Sequence, residues 1–152
     1  MLFRTHVAIS VLFILLLIPY VNNQIIFSVV FLIATFIPDI DTAYSKVGKY
    51  KIFRPLQFFV EHRGLIHSFT FLILLTLAFV FVYPVVALPL FLGFGIHLIF
   101  DSFTIDGIRP FYPYSRTISG KMKTGGKVEL FIFFLTLILI IFVLLFKYTG
   151  IF

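Results

Sequence analysis

The stretch VVALPLFLGFGIHLIFDSF, Val85–Phe103, is a nearly unbroken apolar run that carries a histidine and an aspartate close to its end. A straight bilayer crossing takes about 20 apolar residues, with a range of about 17–25. The run therefore has the length of a membrane helix. Gly93, His97, Asp101 and Thr104 follow one another at spacings of four, four and three, which puts them on one helical face. Ionisable groups inside an apolar span are costly, so they turn towards protein and commonly mark a working site.

The whole chain has this character. Of its 152 residues, 61% are hydrophobic and only 12% are charged, and the mean hydropathy is +1.16. Soluble domains hold about 45–50% apolar and about 25% charged residues. Five apolar segments stand out: Leu2–Tyr20, Ile25–Ile37, Leu65–Val82, Val85–Phe103 and Val128–Phe146. The third, fourth and fifth have crossing length. The second is short, and must be tilted, extended at its ends, or paired with the first as a re-entrant hairpin. The expected fold is all-α: one integral-membrane helical bundle over residues 1–152, with about five transmembrane or re-entrant helices. Polar loops are expected at about 39–63 and 105–127. Pro84 and Pro89 fit near the start of the fourth helix, where a missing amide is tolerated. Arg4 before an apolar run has the outline of a signal peptide, but no small-x-small cleavage site follows. The first segment is thus expected to be retained, with its His6.

Of the twelve Lys and Arg residues, Lys147 alone falls on the side opposite the N-terminus. The positive-inside rule then places the N-terminus and both long loops in the cytoplasm and the C-terminus outside. The same rule accounts for the net charge of +6, and no nucleic-acid partner is expected. The absence of cysteine excludes disulfides, thiolate zinc sites and cysteine nucleophiles. Any metal must be held by imidazole and carboxylate, which suits zinc, manganese, iron or magnesium better than copper(I). The many Phe residues are read as packing and lipid-facing material.

With that topology, every histidine and carboxylate falls at the cytoplasmic end of the bundle. The outer connections are short and had little room for polar residues, so the weight rests on groups that lie inside the helix ends. His97 and Asp101 can share an ion, or Asp101 can orient the imidazole; the same spacing would also serve a simple helix-tying hydrogen bond. His62 and His67 are five apart and would not share a face in a continuous helix, but a turn or helix start at Gly64 would let both face one centre. Arg63, between them, is a candidate phosphate donor. Asp39 and Asp41 close the second segment, where an irregular backbone lets both reach a hard cation. His6 lies one turn inside the first helix, with Ser10 on its face. Glu129 begins the fifth segment, where a carboxylate also benefits from the helix dipole. Asp106 and Glu61 are read as solvated loop residues. Three or more histidines and two or more carboxylates exceed the needs of one ion and leave room for two.

Four blocks taken in order resemble a known prokaryotic family. They are Pro38-Asp39-Ile40-Asp41, His62-Arg63-Gly64-x2-His67-Ser68, Gly93-x3-His97-x3-Asp101-x2-Thr104, and Gly107 with Pro110 and Tyr112-Pro113. The resemblance is to the YdjM-type, LexA-regulated membrane proteins assigned as metal-dependent hydrolases, and it spans about residues 1–130. Ile66 stands where threonine is expected, and the fourth block fits with relaxed spacing. What the resemblance implies is a metal-binding hydrolase in a prokaryotic cytoplasmic membrane. A more distant likeness to His/Asp-rich helical zinc phospholipases C and nucleases implies phosphodiester chemistry. Other membrane enzymes fit less well. Val47 stands where the Lys-x6-Arg-Pro element of lipid phosphatases needs lysine, and neither the CDP-alcohol transferase helix nor a His-Glu-x2-His zincin element is present.

The leading expectation is a membrane-embedded hydrolase that uses one or two divalent ions, zinc first, on a lipid phosphoester at the cytoplasmic surface. Asp39, Asp41, His62, His67, His97, Asp101 and His6 are the candidate ligands. Asp41 or Glu129 would act as general base, with Arg63 steadying developing charge. Lys49, Lys51 and Arg54 would attract an anionic headgroup, though topology alone explains individual lysines. Lipid is environment and candidate substrate; no oligomeric state follows from the sequence. Two other classes compete: a metal or proton carrier, and a structural protein whose His/Asp pairs lock helices. A carrier would want an internal repeat and polar groups near the midplane. Metal content separates the enzyme from the structural protein, and turnover separates it from the carrier.

Overall fold

A computed structural model describes residues 1–60, 63–114 and 116–149. Among the described residues there are six α-helices: α1 (Phe3–Leu17), α2 (Gln24–Phe36), α3 (Arg54–Phe59), α4 (Phe69–Val82), α5 (Pro84–Ser102) and α6 (Lys127–Tyr148). Short 3₁₀ turns cover Ile18–Tyr20, Pro38–Asp41 and Lys51–Phe53. Among the described residues, four stretches are long and apolar enough to cross a membrane: Phe3–Tyr20, Gln24–Asp41, Pro84–Ser102 and Lys127–Lys147. The second segment thus reaches crossing length because a 3₁₀ turn continues α2 through Asp41.

The third segment differs from its expected length. Leu65 and Ile66 belong to a turn, and α4 begins only at Phe69, leaving 14 residues. At 1.5 Å per residue that is about 21 Å, short of a hydrocarbon core of about 30 Å. The late start has two causes. Ser68 caps the helix, its hydroxyl accepting from Phe71 N at 3.1 Å, and Phe69 N donates to the Pro110 carbonyl at 2.8 Å. The free amides of the first turn are therefore satisfied at Phe69, and residues 63–68 are left to shape the site.

The helices pack in the spatial order α6, α1, α2, α5, α4. α5 is central, with more than half of its span buried, whereas α6 touches mainly α1 and exposes most of its length. Between apolar helices in lipid, association depends on close packing and interhelical hydrogen bonds rather than on the hydrophobic effect. Both devices are present. A Cβ at Gly93 would collide with the Phe31 carbonyl, so glycine there is what lets α2 and α5 touch backbone to backbone. Thr35 Oγ1 donates to Phe31 O at 2.9 Å, and Ser10 Oγ donates to Thr35 Oγ1 at 2.9 Å, joining α1 to α2 in a buried position. One apolar core gathers Ala34, Ile66, Leu72, Leu90, Phe94 and Leu98; a second gathers Ile9, Ile14, Phe27, Phe31 and Ile96.

Beyond α5 the chain makes an ordered excursion before α6. Thr104 and Met122 pair, as do Ile108 and Ile118, and Ile108 is buried in the first core. This excursion carries Pro110 back to the start of α4. The fourth sequence block thereby fixes where the second one ends.

Candidate metal centre

Helix direction alone brings the polar groups together. α1, α4 and α6 start at the end of the bundle where α2 and α5 finish, as their side-chain contacts record. His6, His67 and His97 are each about 1% exposed, Asp41 and Asp101 about 3%. Asp101 is the hub. His6 Nε2 lies 3.2 Å from its Oδ1, while His97 Nε2 and His67 Nε2 lie 3.6 and 3.8 Å from its Oδ2. The Met1 amino group also contacts Oδ1. Asp101 lies in the last turn of α5, at the negative end of that helix's dipole.

The imidazoles touch one another as well. The His6 and His97 rings stack with centroids 4.1 Å apart and only 7° between planes, and the His67 ring meets His97 at 5.4 Å, nearly edge-on. Two overlapping groups result. His6, His97 and Asp101 form one, and Asp39, His67 and His97 the other; in each, one ligand atom per residue lies within 4.8 Å of the others. His97 belongs to both.

The two carboxylates of the 3₁₀ turn have separate surroundings. Asp41 Oδ2 accepts from His67 Nδ1 at 2.7 Å and from the Arg63 backbone amide at 3.0 Å. A carboxylate holding Nδ1–H turns the unprotonated Nε2 inward, the arrangement that orients a metal-binding histidine. Burial pushes the His67 pKa below its ordinary value, against the opposing pull of Asp41, and the neutral ring is the metal-competent form. Asp39 is only half buried and sits in the second ligand group.

Arg63 is a clamp. Its φ of 59° is left-handed, a conformation that costs a non-glycine residue about 1–3 kcal/mol unless its surroundings enforce it. Here its amide is held by Asp41, its guanidinium donates to the Gly107 carbonyl, and its Nη2 lies 3.7 Å from Asp101 and 3.6 Å from Asp106. The turn thus pivots at Arg63, one residue before the expected Gly64. Asp106 remains largely exposed, with 58% of its side chain accessible. His62 and Glu61 lie outside the described residues.

Glu129 falls outside both ligand groups. Its Oε1 accepts from Leu2 N at 2.6 Å and Thr5 Oγ1 at 2.8 Å, and its Oε2 accepts from Gly125 N at 2.6 Å. It therefore fastens the start of α1 to the start of α6. Thr5 was not singled out in the sequence: a lone threonine beside His6 gives no local signal, and its role exists only because Glu129 arrives from far along the chain.

The donor set fits a divalent ion. His97 Nδ1 and Nε2 and His6 Nδ1 are buried without a hydrogen-bond partner among the described residues. Unsatisfied buried polar atoms are rare and each calls for an explanation. Imidazoles beside carboxylates, with no cysteine in the chain, are the ligand types that zinc, iron or manganese accept. A cavity of about 550 Å³, lined by Leu15, Leu16, Pro19, Tyr20, Phe142 and Phe146 among others, lies between the far ends of α1 and α6. It shares no residue with the cage. Its apolar walls suit lipid rather than chemistry.

The family model described as YdjM inner membrane protein matches residues 1–151, and the chain belongs to that family. No curated protein and no solved structure matches it.

Proposed function

We propose that this member of the YdjM inner membrane family is a divalent-metal-dependent hydrolase that cleaves a phosphoester of a lipid at the cytoplasmic membrane surface. The observation that carries this reading is His97: a fully buried imidazole with neither nitrogen hydrogen-bonded among the described residues, shared by two His/Asp groups. His6, His97 and Asp101 would hold one ion, and Asp39 and His67, with His97, would provide for a second, zinc being the first candidate. The chemistry these residues would gain by holding an ion there is Lewis acidity, which would polarise a phosphoryl oxygen and lower the pKa of a water to about 7.

The residues divide the remaining work. Asp41 orients His67, Glu129 anchors the helix starts, and Arg63 locks the turn that presents His67 while keeping a partly open guanidinium for phosphate oxygens. Asp39, more open than Asp41, would take the proton that leaves the attacking water on the carboxylate oxygen not used for the ion. The sidedness of the basic residues supports the cytoplasmic placement. A carrier fits less well because the cage sits at the helix ends instead of the midplane.

The test is elemental analysis of protein purified without chelator or metal resin, followed by a screen of lipid phosphoesters. One or more equivalents of metal, and hydrolysis lost to chelator and restored by the ion, would sustain the proposal. Protein that takes up no metal even after reloading would end it. A finer test is Asp41→Asn, which keeps the ligands and alters only their orientation. Metal affinity should fall about 10–100-fold with the helical content unchanged; wild-type affinity would show that Asp41 is not an orienting residue.

A further inference from the structure

The segment from Thr42 to Val60 displays apolar side chains that are exposed among the described residues. Tyr44 is 99% exposed, and Ile52, Phe58 and Phe59 are each at least 80% exposed. This is an ordered display. Leu56 and Val60 on the inner side pack against the first core. Gln57 Nε2 donates to the carbonyls of Ile40 and Gly48, both at 2.8 Å. Ser45 Oγ donates to Asp39 O at 2.5 Å and accepts from Gly48 N at 2.7 Å. The backbone is therefore fixed so that the rings face away from the protein.

Position and charge name the environment. The segment leaves α2 directly after Asp41 and returns to α4, so it lies where the apolar spans end, at the depth of lipid headgroups. Aromatic rings are at home at that depth. Lys46, Lys49, Lys51 and Arg54 are all exposed, and residues 42–60 contain no Asp or Glu. Lysines interleaved with aromatics, without acids, complement a negatively charged lipid surface.

We propose that residues 42–60 form an interfacial anchor that inserts its rings into the headgroup layer and gathers anionic phospholipids beside the cage. The lipid binding stands independently; only its service to the cage, by concentrating substrate of that class, rests on the hydrolase reading.

The chain has no tryptophan, so Phe58→Trp, at an exposed position, gives a single reporter in the full-length protein. Reconstituted in mixed phosphatidylcholine and phosphatidylglycerol vesicles, its emission should be quenched by lipids brominated on their acyl chains. Brominated phosphatidylglycerol should quench about twofold more than brominated phosphatidylcholine at equal mole fraction. Changing Lys46, Lys49, Lys51 and Arg54 to glutamine should abolish that preference and leave the insertion. Equal quenching by the two lipids would overturn the anionic preference. No quenching by either would overturn the anchor, leaving water or a protein partner as what faces the rings. None of these readouts requires metal, so a failure of the hydrolase reading would appear in metal analysis and not here.

Discussion

Replacing His97 with alanine should remove essentially all bound divalent metal from the purified protein, a loss in affinity of at least about 100-fold, and any hydrolysis should vanish with it. The two ligand groups have only this residue in common, and neither buried ring nitrogen has a hydrogen bond among the described residues. His6→Ala and His67→Ala provide the contrast. His6→Ala leaves Asp39, His67 and His97 together, and His67→Ala leaves His6, His97 and Asp101. Each should therefore retain some metal, with reduced stoichiometry or affinity. Elemental mass spectrometry on the three variants, normalised to protein, reads the pattern directly. Wild-type metal content in His97→Ala would show that the ion, if bound, sits elsewhere. The ring packs against His6 of α1 and His67 of the turn before α4, so its removal also takes away packing. Circular dichroism and the metal content of His6→Ala, whose ring stacks on the same face, separate unfolding from ligand loss.

Much of this was legible in the sequence because periodicity is a local property. The 93, 97, 101, 104 spacing needs only a helix to become a face, and α5 delivers it, with Gly93 against Phe31 on one flank and His97 and Asp101 in the cage. The gathering of polar groups at one end likewise follows from helix count and direction. What could not be read locally was which carboxylate does what. Asp39 and Asp41 are two apart in a 3₁₀ turn of about three residues per turn, so they point about 120° apart around its axis. Their roles depend on what surrounds that axis: Asp41 meets His67 Nδ1 and the Arg63 amide, while Asp39 groups with a ligand atom of His67 and one of His97. The start of α4 was hidden for a similar reason. Leu65 and Ile66 look like helix by hydropathy, yet the Pro110 carbonyl, far along the chain, decides that the helix begins at Phe69. Arg63 in a left-handed conformation beside a glycine is a third case; local propensity favours Gly64, and four long-range contacts reverse the preference.

Asp101→Asn and Glu129→Gln should separate the binding of metal from the fastening of helices. Both residues are buried carboxylates at the same end of the bundle, and sequence alone gave each a claim to the chemistry. Their neighbours differ. Asp101 faces three imidazoles at 3.2 to 3.8 Å, donors that are far apart for hydrogen bonding in two of the three cases and well disposed around a cation. Glu129 faces a hydroxyl and two backbone amides at 2.6 to 2.8 Å, all ordinary or short hydrogen bonds with no room between them. An asparagine at 101 keeps the shape but supplies a poor, neutral ligand, so metal content should fall by roughly tenfold or more. A glutamine at 129 turns its NH2 against an N–H donor and leaves at least one buried donor unmatched, which costs about 1–3 kcal/mol. That variant should keep its metal and unfold at lower temperature or denaturant. If Glu129→Gln instead lost metal while Asp101→Asn kept it, the assignment of the two carboxylates would have to be exchanged. If both kept their metal and both lost stability, the His/Asp cluster would be a helix-locking network, and the hydrolase proposal would fall with it.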